Sequence, residues 1–265
     1  MTKLTKSELI NFVPNDLSLL EYQIEGVLSL LQIDDSAILA DEMGLGKTPQ
    51  AFIYANAINA ERIVIICPAS LRINLQHEFL KWSLSKIQPL VLISGRQQVQ
   101  VPDHSKPYCI IAGYDIIRTK LKNRIKELHP DLLILDEAHS LKSPKSKRAK
   151  FFMNELWPQA KRVLALTGTP VPNSVMDGYN LFSKFYDFGN YFQFGNTYAY
   201  KRPNHFSKRN GGPGYEFYGF KNLPQLRSIM KPHMVRRFKK DVTDLPDKIH
   251  QSIPLDIKGF EDTLD

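Results

Sequence analysis

Cysteine is nearly missing: 265 residues carry only Cys67 and Cys109, and both lie within apolar runs. So sparse a set excludes a disulfide scaffold and points to free thiols in a reducing compartment. Long hydrophobic runs are missing too, since no apolar stretch approaches the roughly 20 residues that span a bilayer. The opening Met1-Thr2-Lys3-Leu4 has none of the apolar segment of a signal peptide. An intracellular protein with no membrane partner is the expectation, cytoplasmic in a bacterium or a virus-infected cell and nuclear in a eukaryote. The seven histidines and two cysteines show no metal-ligand spacing, which argues against a zinc site. There are no internal repeats and no low-complexity tracts.

The excess of basic over acidic residues is local. Lys and Arg total 35 against 27 Asp and Glu, a net charge of +8. Residues 195–250 hold 12 basic and 4 acidic side chains, so that region carries the whole excess. It is also rich in aromatics, among them Tyr215, Phe217, Tyr218 and Phe220, and contains the turn Gly211-Gly212-Pro213-Gly214. We read residues 189–222 as a basic, aromatic protrusion that meets a phosphate backbone through Lys208, Arg209 and Lys221, with the four aromatics packing it onto the rest.

Elsewhere short apolar runs alternate with amphipathic stretches, which predicts an α/β fold with a mostly parallel sheet and helices on both faces. The strands are read at 37–40, 63–67, 90–93, 108–112, 132–135 and 163–166, and helices at 47–59, 70–83, 114–127 and 146–157. Residues 95–107 are polar, with two prolines, and read as a surface connection.

After the first strand comes Asp41-Glu42-Met43-Gly44-Leu45-Gly46-Lys47-Thr48, followed by a helical pattern. Strand, glycine-bearing loop and helix are the context of a phosphate-binding loop: backbone N–H groups turn inward around an anion and the helix N-terminus adds its dipole. Lys47 then reaches the outer phosphates and the Thr48 hydroxyl ligates Mg²⁺. Asp41 stands where the general pattern has its first glycine. Alone, Gly-Lys-Thr also reads as a helix cap with a surface lysine.

The run Leu132–Leu135 ends in Asp136-Glu137-Ala138-His139. Carboxylates at the carboxyl end of a strand in an open α/β sheet sit at the ligand crevice. Asp136 is the expected Mg²⁺ holder, through water, and Glu137 the group that orients and deprotonates an attacking water. By itself an Asp-Glu pair also reads as the end of a strand and a helix cap. The basic runs 118–126 and 142–150 read equally as solvated surface or as DNA contacts.

Together these motifs resemble the Swi/Snf-type branch of the superfamily two helicase-like ATPases, over roughly residues 17–250. In that superfamily the first glycine is commonly absent, which accommodates Asp41. Tyr22-Gln23 resembles the adenine-reading glutamine, whose amide pairs with the N6 and N7 edge of adenine. Pro68-Ala69-Ser70-Leu71 and Gly113-Tyr114-Asp115 resemble strand-contacting motifs, which makes Ser70 and Tyr114 candidate DNA contacts. Thr167-Gly168-Thr169-Pro170 resembles the motif that links ATP state to the DNA track, with His139, Thr167 and Thr169 as coupling residues. Arg236-Arg237-Phe238-Lys239-Lys240-Asp241-Val242, with Leu245-Pro246 and Lys248, resembles the segment leaving the first lobe. Within the branch the chain is most similar to compact members resembling annealing helicases.

The resemblance implies a RecA-like P-loop NTPase lobe at 1–188, the protrusion at 189–222, the end of the first lobe at 223–250 and the start of a connection at 251–265. It implies ATP and Mg²⁺ as cofactors and double-stranded DNA as partner. It also implies a second RecA-like lobe, in cis beyond this chain or in trans, that supplies an arginine finger. Translocation along duplex DNA is the implied activity, weak or absent in this chain alone. The alternative is a non-catalytic nucleotide- and DNA-binding half-enzyme that regulates a complete one; intact Lys47, Asp136 and Glu137 argue against it.

Overall fold

The computed structural model describes residues 4–93, 106–204, 208–209 and 213–242. Gly211, Gly212, Leu245, Pro246, Lys248, the expected connection at 251–265 and most of 95–107 lie outside the described residues.

Nine strands are present among the described residues. They are β1 (Ser36–Leu39), β2 (Arg62–Cys67), β3 (Leu90–Leu92), β4 (Tyr108–Gly113), β5 (Leu132–Leu135), β6 (Arg162–Leu166), β7 (Tyr200–Pro203), β8 (Tyr215–Tyr218) and β9 (Met234–Val235). Seven form one sheet in the order β3-β4-β2-β5-β6-β1-β9. Every pairing in it is parallel. The six strands expected from apolar runs are all present, and β9 is added at the edge beside β1. Strands β7 and β8 make a separate antiparallel ribbon within 189–222.

Side chains alternate across a strand, so each apolar run feeds two cores. Leu39, Ile65, Ile134 and Leu166 face one core, and Ile38, Ile66, Leu135 and Ala165 face the other. On the first face lie helices α1 (Lys6–Ile10), α2 (Glu21–Leu31), α3 (Lys47–Ala57) and α4 (Arg72–Trp82), burying Leu9, Leu30, Phe52 and Phe79. The second face is covered by α5 (Leu121–Lys126), α6 (Lys147–Lys150), α7 (Tyr179–Phe182), α8 (Tyr191–Tyr198) and α9 (Leu223–Met230), burying Ile125, Ala149, Phe182, Phe194 and Leu226. A last turn, α10 (Lys239–Val242), follows β9.

Two expected helices are broken. The stretch 114–127 is a 3-10 segment to Arg118 and then α5, broken by extended backbone at Thr119, whose hydroxyl accepts the Leu121 N–H at 3.2 Å. The stretch 146–157 begins at a Ser146 cap, widens to a π-helix over Phe151–Leu156 and tightens to 3-10 at Trp157–Gln159. Pro158 has no N–H to donate to a preceding turn, so the α pattern cannot run through it.

The amino-terminal ends of β2, β5 and β6 are held by one carboxylate. Asp131 accepts from the Arg62 backbone N–H at 3.0 Å and from its guanidinium at 2.7 Å, and Lys161 Nζ lies 2.7 Å away. Burial opposes ionisation there, but the Arg62 and Lys161 donors overcome it and hold the carboxyl well below the usual range. A depressed folded-state pKa contributes stability above the unfolded value near ~4, and that contribution fades as pH falls toward the folded value. Asp131→Asn is therefore expected to cost about 2 kcal/mol at pH 7, with the difference from wild type shrinking as urea unfolding is repeated below about pH 4. A constant difference down to pH 2 would reject this account of the cluster.

Candidate nucleotide site and nucleic-acid interface

Parallel pairing brings the motifs that follow strands to one edge, the carboxyl ends of the strands. Across that edge the order is Gly113-Tyr114 after β4, Ser70 after β2, Asp136-Glu137 after β5, Thr167-Gly168 after β6, Asp41–Thr48 after β1 and Arg236-Arg237 after β9. Lys47 and Asp136, 89 residues apart in sequence, are separated by one strand. Open α/β sheets bind ligands in this crevice.

The loop after β1 turns on two left-handed glycines, Gly44 at φ 87° and Gly46 at φ 69°, a conformation that costs an L side chain about 1–2 kcal/mol. Gly46 ends the loop and Lys47 opens α3, so the first N–H groups of the helix have no intrahelical partner. Thr48 is the second residue of that helix. The Lys47 ammonium donates to the Asp41 carbonyl at 3.0 Å, and burial pushes its pKa down while Glu137, Asp41 and Asp136 oppose the shift. Gln23 spans from α2 to the loop: its Oε1 accepts from Leu20 N at 2.9 Å and its Nε2 donates to Leu45 O at 3.3 Å. Met43 is exposed at the loop's crest, Leu45 is buried beneath it and Glu42 takes the Lys239 N–H at 2.8 Å. Asp41 is different: its carboxylate is fully buried against Arg237 and Gln50 and does not face the crevice.

Glu137 sits at φ 49°, a left-handed backbone without glycine, as strained residues at functional sites often are. Burial and the neighbouring Glu137 charge push the Asp136 carboxyl up to about 6, with Lys47 pulling the other way. His139 Nδ1 lies 3.1 Å from Glu137 Oε2 and 3.3 Å from Thr167 Oγ1, so the acidic motif touches the end of β6 through one imidazole. Thr167 Oγ1 also accepts the Thr169 N–H at 3.2 Å, while the Thr169 side chain is exposed. A Cβ on Gly168 would lie 2.7 Å from Met43 Cγ and 3.5 Å from Lys47 Nζ, so only glycine lets this turn approach the loop.

Ser70 is exposed, as a strand contact requires. Tyr114 is not: it is 3% exposed, its hydroxyl donates to the Asp136 carbonyl at 2.8 Å and its ring lies edge-on to Phe152. The expected DNA contact at Tyr114 is corrected, because the residue is buried and its phenol keeps its polar end satisfied inside. Lys221 donates one of its three ammonium N–H groups to the Asn196 carbonyl at 2.8 Å, which ties the end of the ribbon to α8. Lys208 and Arg209 are exposed. Phe217 stacks near Tyr191 and Tyr215 as packing, whereas Phe220 is exposed.

The two basic runs left open by the sequence converge. Arg118, Lys122, Lys142, Lys147, Arg148 and Lys150 line one cavity of about 850 Å³, with Tyr114 beneath the Arg148 guanidinium and Glu155 the acidic residue in the wall. A second cavity of about 680 Å³ shares Lys142, Ser143 and Lys150 with it and runs on to Tyr215 and Phe217 of the ribbon.

The SNF2-related domain model matches residues 22–264. The chain belongs to this family. The match covers 243 of 265 residues and spans every motif from Tyr22 to Lys240. The chain is 30% identical over 257 residues to the DNA annealing helicase and endonuclease ZRANB3 of Bos taurus, covering 94% of this chain and 24% of that protein. It is 28% identical to the SWI/SNF-related matrix-associated actin-dependent regulator of chromatin subfamily A-like protein 1 of Xenopus tropicalis, covering 92% of this chain and 25% of that protein. Among solved structures, the Sulfolobus solfataricus SWI2/SNF2 ATPase core in complex with dsDNA matches with a TM-score of 0.66 and 28% identity, covering 88% of this chain and 48% of that one. The chain thus spans about a quarter of these relatives and about half of the solved core. SNF2-type proteins are DNA-dependent, helicase-like ATPases, and the seven-stranded sheet is a RecA-like lobe of their core. Among the described residues no helix is long and apolar enough to cross a membrane.

Proposed function

We propose that this SNF2-family lobe binds Mg·ATP at the loop after β1 and, joined to a second RecA-like lobe, drives translocation along duplex DNA. The observation that carries the reading is the convergence of Lys47, Asp136, Glu137, His139 and Thr167 at one edge of the sheet, linked by hydrogen bonds and charge. Gly44 to Thr48 cradle the phosphates and Lys47 binds their outer oxygens. Thr48 and Asp136 fit Mg²⁺: they offer two oxygens to an ion that keeps its remaining sites for water and phosphate, in a pair of carboxylates whose charge is only partly offset by Lys47. The ion would neutralise charge on the phosphates. Glu137 takes the proton of the attacking water, and His139 passes its position to Thr167 and Thr169.

The concave, cationic groove beside α5 and α6 supports the duplex as partner, because it concentrates positive field where a phosphate backbone can follow it. Ser70, Lys208 and Arg209 are further contacts in this reading. An intracellular site, cytoplasmic or nuclear, goes with such a partner.

Gln23 is the base-reading residue in this proposal, and it also braces the loop. Gln23→Ala should lower the preference for ATP over GTP about tenfold, beyond any shared weakening, when Kd values for the two magnesium nucleotides are compared. Equal weakening of both would leave Gln23 as a brace alone. Regulation without catalysis predicts instead that turnover stays at background with a second lobe and DNA supplied.

A further inference from the structure

Asp41, out of place in a phosphate loop, has its partner 196 residues away. Arg237 follows β9, which lies beside β1, and its backbone N–H and Nε both donate to Asp41 Oδ1 at 3.0 Å. A third donor of the same arginine, Nη2, reaches Asp41 Oδ2 and also Gln50 Oε1, the latter at 2.6 Å. Gln50 closes the ring: its Nε2 lies 3.0 Å from Asp41 Oδ2, 3.3 Å from Leu45 O and 3.2 Å from Gly46 O. The guanidinium lies over the Tyr22 ring at 5.4 Å, and a Cβ on Gly26 would come within 2.2 Å of it. Asp41 is fully buried and the Arg237 side chain is 15% exposed.

From this arrangement we infer that Arg237 is the positioning residue of the phosphate loop, holding it from beneath in anion-binding shape through Asp41 and Gln50. The inference rests on the nucleotide reading above and extends it. A planar guanidinium fork is suited to this role, because it engages a carboxylate with two nitrogens and leaves one of them to bridge to an amide, which an ammonium cannot do. The carbonyls of Leu45 and Gly46 are fixed by Gln50, so the N–H groups of Gly46 and Lys47, in the same two peptide planes, point the opposite way. The Asp41 carbonyl, on the same residue, receives Lys47 Nζ. One cation therefore sets the loop's backbone and the phosphate-binding ammonium together.

A consequence follows for the segment that carries Arg237. Glu42 N donates to the Arg237 carbonyl at 3.0 Å and Lys239 N donates to the Glu42 carboxylate at 2.8 Å, so residues 235–239 and the loop form one bonded unit. Nucleotide that orders the loop must then order this segment, and displacement of the segment must weaken nucleotide, by the same factor.

The test compares wild type, Arg237→Met, Arg237→Lys, Asp41→Asn, the Asp41→Asn/Arg237→Met double variant and Lys47→Ala. Amide hydrogen exchange at 42–46 without nucleotide reads the clamp, and calorimetric titration with Mg·ATP reads its effect. The expected result is faster loop exchange and about tenfold weaker Mg·ATP binding in Arg237→Met and in Asp41→Asn, with the double variant no weaker than the worse single one. Arg237→Lys should restore less than half of the lost affinity on a logarithmic scale. Mg·ATP should also slow exchange at 235–239 in wild type and not in Arg237→Met. Wild-type loop exchange and affinity in a folded Arg237→Met would overturn the inference, as would additive losses in the double variant. Loop loosening in Arg237→Met together with equal Mg·ATP binding by wild type and Lys47→Ala would overturn the nucleotide reading and leave the clamp standing.

Discussion

ATP turnover by this chain alone is expected to be slow, and to rise by about 10³-fold or more when a second lobe bearing an arginine finger is joined to it and duplex DNA is added. The magnitude is that of transition-state charge stabilisation by such an arginine in related phosphoryl transfers. Within the described residues the site offers Lys47 on the phosphate side and Glu137 on the water side. Arg237, the arginine bonded to the loop, is committed to Asp41 and Gln50 beneath it. Glu137→Gln in the two-lobed protein should remove at least about 10²-fold of that turnover, as loss of a general base does, and leave Mg·ATP binding intact. Steady-state phosphate release measures both. Fast, DNA-stimulated turnover by the single lobe, or an active Glu137→Gln, contradicts the assignment.

Duplex binding gives the second large effect. Lys147→Glu/Lys150→Glu places two negative charges in the cationic groove, at exposed positions where the side chains reach into solvent. Two phosphate contacts fewer should cut affinity about 10- to 100-fold at low salt and reduce the slope of log K against log salt by about 2. Lys208→Glu/Arg209→Glu should act more weakly, because these two exposed side chains lie between β7 and β8, outside the groove that focuses field. Melting curves should stay unchanged in both. A normal salt slope in the groove variant with a flattened one in the ribbon variant would move the DNA track to the ribbon.

The motif-bearing edge of the sheet is legible because its signals are local. Runs such as Leu132–Leu135 are apolar on both faces, so they mark buried parallel strands, and each motif directly follows its strand. What the sequence concealed is non-local or satisfied internally. Nothing near Asp41 announces Arg237, and Met234-Val235 is too short to read as a strand. Tyr114 has the hydroxyl of a surface contact, but that hydroxyl is spent on the Asp136 carbonyl. The charge excess in 195–250 pointed at the ribbon, yet Lys221 serves α8 and Arg202 pairs with Glu216 at 2.5 Å. The groove draws on two runs, 118–126 and 142–150, each with five basic side chains and no acidic one, and it is the fold that brings these two distant runs to one cavity.

The most direct test of the central claim is calorimetric titration of the 265-residue chain with Mg·ATP. The account predicts saturable binding at one site per chain that requires Mg²⁺, survives Glu137→Gln and is lost in Lys47→Ala. Absence of binding, or binding that Lys47→Ala leaves unchanged, would contradict it.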